Sequence, residues 1–323
     1  MQCIYVYIRF MYGLIFRTRK ETNVLQVNHL HKKLTDKKHV FQIKDVTFQL
    51  PKGHIFGLIG ENGAGKTSLI RLLCGLYEAD DGQLLIDGCS LKDQEQEAKN
   101  KLGLVLDESF YDMKMTLEKI GRYYGDMYSE FSMEQYLEQL SRFHLDKKQK
   151  FKALSTGMKA KVQLAFALSH NAKCFLFDEP TAGLDKEFRA EFLKICTELV
   201  SDGEKSVLIS SHITDDLDRI ADYIGYLQQG KLLFCQTKEA LSDRFLIVQG
   251  EDYKCRLINR EAVVYMEKGP YGTTGMVVNS RRFPVDEALE CRTPDIREFM
   301  YYFVKGGHEH AETVAKKFME MDP

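Results

Sequence analysis

Residues Gly60-Glu61-Asn62-Gly63-Ala64-Gly65-Lys66-Thr67 satisfy the pattern G-x-x-x-x-G-K-[ST] at every fixed position. They stand between an apolar run, Ile55-Phe56-Gly57-Leu58-Ile59, and a helical apolar period at Leu69, Leu72, Leu73 and Leu76. That setting dictates a strand, a tight loop and a helix in succession. Glycines let the backbone take positive φ and turn successive N–H groups toward one point. The following helix aims its own unpaired N–H groups and its dipole at the same point. A loop of this kind binds phosphate, and all eight residues are candidates for nucleotide binding. Lys66 is placed to reach the outer phosphates, and Thr67 to offer a hydroxyl to Mg2+. The competing reading is an ordinary glycine turn, which the flanking strand and helix disfavour.

The chain has 323 residues, 44% hydrophobic and 28% charged, enough for one large domain and a small one, or for two domains. A formal net charge of −2 lacks the basic balance of a nucleic-acid-binding domain, so no nucleic-acid partner is expected. The eight cysteines form no C-x-x-C pair and several sit in apolar runs, the usage of a reduced, cytosolic chain. No segment reaches the roughly 18 to 20 apolar residues needed to span a bilayer. The nearest approach, Met1 to Phe16, is interrupted by Arg9, and its positive run Arg17-Thr18-Arg19-Lys20 follows the apolar stretch, opposite to a signal peptide. For residues 1–22 three readings stay open: an interfacial anchor, an extra strand or tail, and an over-called start.

Period-two patterning at Val24 to Val27, Val40 to Ile43 and Val46 to Leu50 predicts antiparallel strands closed by the turn Pro51-Lys52-Gly53. Gln83 to Ile86 reads as a further short strand. From about residue 91 to about 160 the composition turns polar and helical, which predicts an inserted helical subdomain. Buried strands expected at Lys173 to Phe177 and Ser206 to Ser210 flank a helix from Lys186 to Val200. Parallel strands alternating with helices predict an α/β fold with a doubly wound sheet. Beyond Gly230, short strands are expected at Phe245 to Val248, Cys255 to Ile258, Ala262 to Met266 and Gly275 to Val278. Thr293-Pro294 then opens a helix with Ile296, Phe299, Met300 and Phe303 on one face. The chain thus divides into a tail over 1–22, a main domain over 23–236 and a small α+β extension over 237–323.

The run Cys174-Phe175-Leu176-Phe177-Asp178-Glu179-Pro180 is a buried strand ending in two acids. In an open α/β sheet that end lies beside the phosphate loop. There Asp178 is a candidate Mg2+ ligand, and Glu179 a candidate for polarising the attacking water. Phosphoryl transfer needs in-line positioning and charge neutralisation more than covalent chemistry. Alone, such a run is weak evidence, with a strand entering a turn as the competing reading; about 120 residues after a phosphate loop it is far stronger.

Leu154-Ser155-Thr156-Gly157-Met158, followed by Val162, Ala165, Phe166 and Ser169 at helical spacing, resembles the L-S-G-G-Q signature of the ATP-binding-cassette (ABC) ATPases. Thr156 replaces the first glycine and Met158 the glutamine, while Ser155 and Gly157 are kept. Ala182-Gly183-Leu184-Asp185 resembles the family's D-loop, Ser210-Ser211-His212 its switch histidine, and Tyr226 to Leu233 its closing hairpin. The resemblance covers roughly Val24 to Gln236, and the later part is similar to the C-terminal extension of cassettes of the ABC-2 exporter type.

This resemblance implies a P-loop NTPase fold with an N-terminal antiparallel β subdomain. It implies an ATP-hydrolysing subunit that powers an ABC transporter, an exporter, through a separate integral-membrane permease. ATP and Mg2+ are the cofactors implied. Lys66, Glu179 and His212 are the catalytic candidates, and Thr67, Asp178 and Asp107 the metal candidates. Ser155 and Gly157 would cap the γ-phosphate of ATP held by the opposite subunit of a homodimer, or of a heterodimer with a second ABC subunit. The implied location is cytoplasmic, peripheral at the inner face of the cell membrane. The alternatives are a non-transport cassette ATPase and a nucleotide-gated regulatory module.

Two positions depart from the family pattern. Asp107-Glu108 follows Gly103-Leu104-Val105-Leu106 where the family carries the glutamine that ligates Mg2+ and relays motion to the membrane subunit. A carboxylate is still a hard oxygen ligand. The aromatic that stacks on adenine should fall near Leu34, with His39 or Phe41 as substitutes. His308 and His310 around Glu309 read as a solvated tail before they read as a metal site, and Lys147-Lys148-Gln149-Lys150 as a solvated helix end.

Overall fold

A computed structural model describes residues 23–35, 40–270, 272–279, 289–307 and 313. The readings made for 1–22, His39 and His308 to His310 lie outside the described residues. The elements run β1 (Asn23–Thr35), β2 (Val40–Pro51), β3 (Ile55–Ile59), α1 (Lys66–Leu73), β4 (Asp81–Ile86), β5 (Cys89–Ser90), α2 (Glu95–Asn100), β6 (Leu102–Val105), α3 (Leu117–Gly125), α4 (Met133–Arg142) and α5 (Thr156–Ala167). They continue with β7 (Cys174–Asp178), α6 (Lys186–Val200), β8 (Ser206–Ser210), α7 (Thr214–Ile220), β9 (Tyr223–Gln228), β10 (Lys231–Thr237) and α8 (Lys238–Arg244). The last are β11 (Phe245–Gly250), α9 (Asp252–Cys255), β12 (Val263–Gly269), β13 (Gly272–Val278), β14 (Glu290–Arg292) and α10 (Ile296–Lys305).

Among the described residues three sheets form, and the central one has the order β10-β9-β3-β8-β7-β6. Its strands are parallel except β10, which returns antiparallel beside β9. Strands β3, β7 and β8 are buried along their whole length because both faces are covered. Side-chain alternation divides β7 between the two cores. Cys174 and Leu176 join the core under β1, β2 and α1, whereas Phe175 and Phe177 join the one under α5 and α6. The four-stranded sheet β2-β1-β4-β5 is the antiparallel subdomain expected from the period-two pattern, with β2 a single strand where two were expected.

Strand β6 lies inside the stretch read from composition as helical and belongs to the central sheet, paired in parallel with β7. Its four residues are too short a run to stand out from polar neighbours. A second difference is Cys255 to Ile258, expected as a strand. Asp252–Cys255 is instead a helical turn, closed by an ion pair between Asp252 and Arg256, and Leu257 points to solvent.

The extension builds a sheet of order β12-β13-β11-β14. Asp295 and Glu298 form a capping box at the start of α10. That helix then lays Phe299 and Phe303 against Phe234 and Phe245, with Phe303 also against Tyr226, at ring separations of 5.1 to 5.8 Å. Each such ring buried contributes roughly 1.5–3 kcal/mol. The Asp218 carboxylate of α7 accepts from the Ile296 backbone N–H at 3.2 Å.

Candidate functional site

The loop after β3 turns into α1 through Gly65, whose φ of +106° is open only to glycine at low cost. A Cβ there would also come within 2.5 Å of the Phe41 ring. No side chain caps α1, so the N–H groups of its first turn face the loop cavity unpaired. Asn62, Gly63, Gly65, Lys66, Thr67, Glu179, His212 and Phe41 line this cavity of about 370 Å³. Gly60 and Glu61 hold the lysine, because Lys66 Nζ donates to the Gly60 carbonyl at 2.8 Å and the Glu61 carbonyl at 3.3 Å. Ala64 ties the loop to the closing hairpin by accepting from the Gly230 N–H at 2.9 Å.

The acidic half comes from the ends of β7 and β8. Asp178 is 2% exposed and accepts from Ser210 Oγ at 2.6 Å. It also hydrogen-bonds the Thr67 hydroxyl. Burial pushes its carboxyl above the usual range, and the charges of Glu179 and Asp107 add to that rise. Glu179 has a φ of +49°, strained for a non-glycine residue by roughly 1–2 kcal/mol. Its N–H is pinned by Ser210, to the backbone oxygen at 3.2 Å and to Oγ at 3.0 Å. Its side chain lies 4.0 Å from Lys66 Nζ and 2.5 Å from His212 Nδ1, and it accepts from the His212 N–H at 3.2 Å. Lys66 is 7% exposed; burial lowers its pKa, and Glu179 and Asp178 oppose that shift. Two acids thus face one buried lysine, with Asp107 in electrostatic reach of Asp178, an arrangement with room for added positive charge.

The structure therefore brings Lys66, Thr67, Asp178, Glu179 and His212 together, with Asp107 in electrostatic reach of Asp178. Ser155 and Gly157 do not line the same cavity. Ser155 caps α5, its hydroxyl accepting from the Met158 N–H at 3.3 Å. Gly157 sits against the D-loop so closely that a Cβ would meet the Gly183 oxygen at 2.6 Å. Leu34 pairs with Phe41 across β1 and β2, and it is Phe41 that reaches the cavity. Glu108 turns away to an ion pair with Arg71 at 2.9 Å.

Three contributors escaped the sequence reading. Ser210 holds both acids, and the sequence named it only as the first residue of Ser210-Ser211-His212, with no role of its own. Asp216 is buried and joins Arg189 of α6 at 2.9 Å and the Thr181 hydroxyl at 3.1 Å, bracing the segment between the acids and the D-loop. Gln163 is a buried amide on α5 among Val162, Leu164 and Ala165, and a polar residue in that apolar run was its signal.

A family profile described as ABC transporter matches residues 43–182. The chain is similar to the ABC transporter ATP-binding protein YtrB of Bacillus subtilis, 31% identical over 207 residues, covering 64% of this chain and 70% of that protein. It is also similar to the linearmycin resistance ATP-binding protein LnrL of the same organism, 31% identical over 226 residues, covering 68% of this chain and 71% of that one. Among solved structures, a dimeric ATP-binding cassette in a post-hydrolysis state with ADP and Pi shares the fold. It has a TM-score of 0.60 at 20% identity, covering 66% of this chain and 98% of that one. No helix among the described residues is long and apolar enough to cross a membrane. The glycine loop, the acidic strand end and His212 meet in one cavity on this shared fold, and the chain belongs to the ABC transporter family as one of its ATP-hydrolysing ATP-binding subunits.

Proposed function

We propose that the chain drives export as one of two cassettes paired head to tail, docked to a separate integral-membrane permease at the cytoplasmic face of the cell membrane. The pair is a homodimer or a heterodimer with a second ABC subunit. The observation that carries this reading is the contact of Lys66 and His212 with Glu179 at the mouth of the glycine loop. There Gly60 to Thr67 wrap the phosphates, Lys66 neutralises the outer ones, Glu179 orients water for in-line attack, and His212 holds Glu179 and senses the γ-phosphate. Ser155 and Gly157, which do not line their own chain's cavity, cap the nucleotide of the opposite subunit. Phe41 takes the place of the missing aromatic near Leu34 as a platform for adenine.

Thr67, Asp178 and Asp107 would hold Mg2+, which supplies charge neutralisation for the transferred phosphoryl group. The donors fit: all are hard oxygens, and Asp178 is a buried acid crowded by two others. No set of three His, Cys, Asp or Glu side chains converges among the described residues, so phosphate oxygens would complete the shell. Export, rather than import, is supported by the likeness to a resistance protein. Residues 23–236 would form the ATPase unit and 237–323 a distinct extension.

Glu179→Gln tests the reading. The amide is nearly isosteric with the carboxylate and cannot polarise water as it does. The variant is expected to bind ATP, lose turnover and elute from size-exclusion chromatography as a dimer with ATP. Near-normal hydrolysis would refute the role given to Glu179.

A further inference from the structure

Gln163 occupies a core position of α5, 7% exposed and set in the apolar run Val162, Leu164, Ala165. Burying an amide costs free energy unless its donor and acceptor are both used. Both are used, and on one residue: Leu106 N–H donates to Gln163 Oε1 at 3.0 Å, and Gln163 Nε2 donates to the Leu106 carbonyl at 2.9 Å. The N–H and C=O of an extended residue point the same way, so the side-chain amide acts as one more rung of a strand ladder. It closes the backbone just past β6, an edge strand among the described residues. The next residue is Asp107. Six residues before Gln163, about 9 Å along the helix, stands Gly157. A Leu or Met would fill this core position as well; the amide adds a fixed link between two segments.

We propose that Gln163 is a positioning residue for ATP hydrolysis: its amide binds the segment that carries Asp107 to the helix that presents Ser155 and Gly157. The acid beside Asp178 in one nucleotide site and the cap offered to the other site then move as one body. This deepens the reading above and rests on it for the roles of Asp107 and Ser155. Gln163 touches neither nucleotide nor metal; it acts through the placement of Asp107. Gln163→Met keeps the length and apolar bulk and removes both bonds. Gln163→Glu keeps the shape and the bond from the Leu106 N–H, and as a carboxylate loses the donor to the Leu106 carbonyl.

The test measures ATPase rate against Mg2+ concentration for the purified full chain, its Gln163→Met, Gln163→Glu and Asp107→Ala variants, and the Gln163→Met/Asp107→Ala double variant. Affinity for a fluorescent ATP analogue in EDTA is measured beside it. Gln163→Met is expected to raise the half-saturating Mg2+ concentration and lower kcat, each about 3- to 10-fold, with the analogue's affinity within twofold of the unmutated protein. Gln163→Glu should fall between the two. The double variant should need no more Mg2+ than Asp107→Ala alone, because the link acts through that acid. Unchanged Mg2+ dependence and kcat in a folded Gln163→Met protein, or independent and additive effects in the double variant, overturn the proposal. If Gln163→Met does not fold, Gln163→Glu decides on the same two quantities. If Asp107→Ala leaves the Mg2+ curve in place, the metal role of Asp107 fails by itself. Gln163 is then judged on kcat, and a rate within twofold of the unmutated protein overturns the link.

Discussion

Lys66 is held ready by carbonyls where phosphate oxygens are expected. Its Nζ spends two donors on the Gly60 and Glu61 oxygens and lies 4.0 Å from Glu179. A triphosphate offers it stronger, charged acceptors. Lys66→Ala should cut ATPase turnover by about 10²–10³-fold, as loss of a group that stabilises transition-state charge does; an ATPase assay on the purified variant checks this. Phe41→Ala should weaken ATP binding while sparing kcat at saturation, since the ring contacts no reacting atom; a KM-against-kcat comparison reads it. That Lys66, Thr67, Asp178 and Glu179 lie together was legible because local order sets their place, loop before helix and acid at the end of a strand, while His212 was legible only from its register in the family pattern. Ser210, Gln163 and Asp216 were not, because each acts on a partner far along the chain. Gln163 is 57 residues from Leu106 and Ser210 is 32 from Asp178. Asp107 stands out because it departs from a pattern, and it lies in electrostatic reach of Asp178.

At the scale of elements, α5 and the turn after it meet β6 and its following residue through two polar side chains. Gln163 meets Leu106 at one end, and His170, just past α5, meets the Leu102 carbonyl through Nε2 at 2.8 Å. The Nδ1 of His170 faces a second carbonyl, that of Phe166, at 3.2 Å. Burial lowers the pKa of His170 below its usual 6.5, against the pull of both carbonyls. The folded chain therefore binds fewer protons here than the unfolded chain between those two values. The stability linked to His170 is fully present above about pH 6.5 and is lost as pH falls through the depressed folded value. Urea midpoints measured from pH 8 to pH 5 should drop on the acid side, and His170→Gln should flatten that limb. Elements with long periodicity were legible to the residue, as α6 was. The turn at Asp252–Cys255 was missed because a short apolar run such as Cys255 to Ile258 fits strand and helix alike, and an ion pair with the first turn decided it.

For the whole molecule, the extension is joined to the ATPase body by a continuous aromatic core. Tyr226 and Phe234 come from β9 and β10, Phe245 from β11, and Phe299 and Phe303 from α10. Arg297 of α10 pairs with Asp215, and His212, Arg297 and Tyr301 line one cavity of about 420 Å³. Phe303→Ala should cost about 3–5 kcal/mol and lower Tm in a thermal scan. A chain cut after Thr237 should lose soluble yield, because the cut bares Tyr226 and Phe234.

The position of β6 has a further consequence, one that concerns the order of synthesis. Its partner β7 and its cover α5 both lie downstream, so about seventy residues must be made after Val105 before β6 is paired, several seconds or more at the usual pace of translation. Throughout that interval Leu102 to Leu106 hangs from the ribosome as an apolar strand with both flanks open, free to pair with another nascent chain. Slowing elongation between the codons for Leu106 and Asp178 should lengthen that exposure and shift expressed protein toward the insoluble fraction, whereas the same slowing placed after Ser210 should leave the yield unchanged.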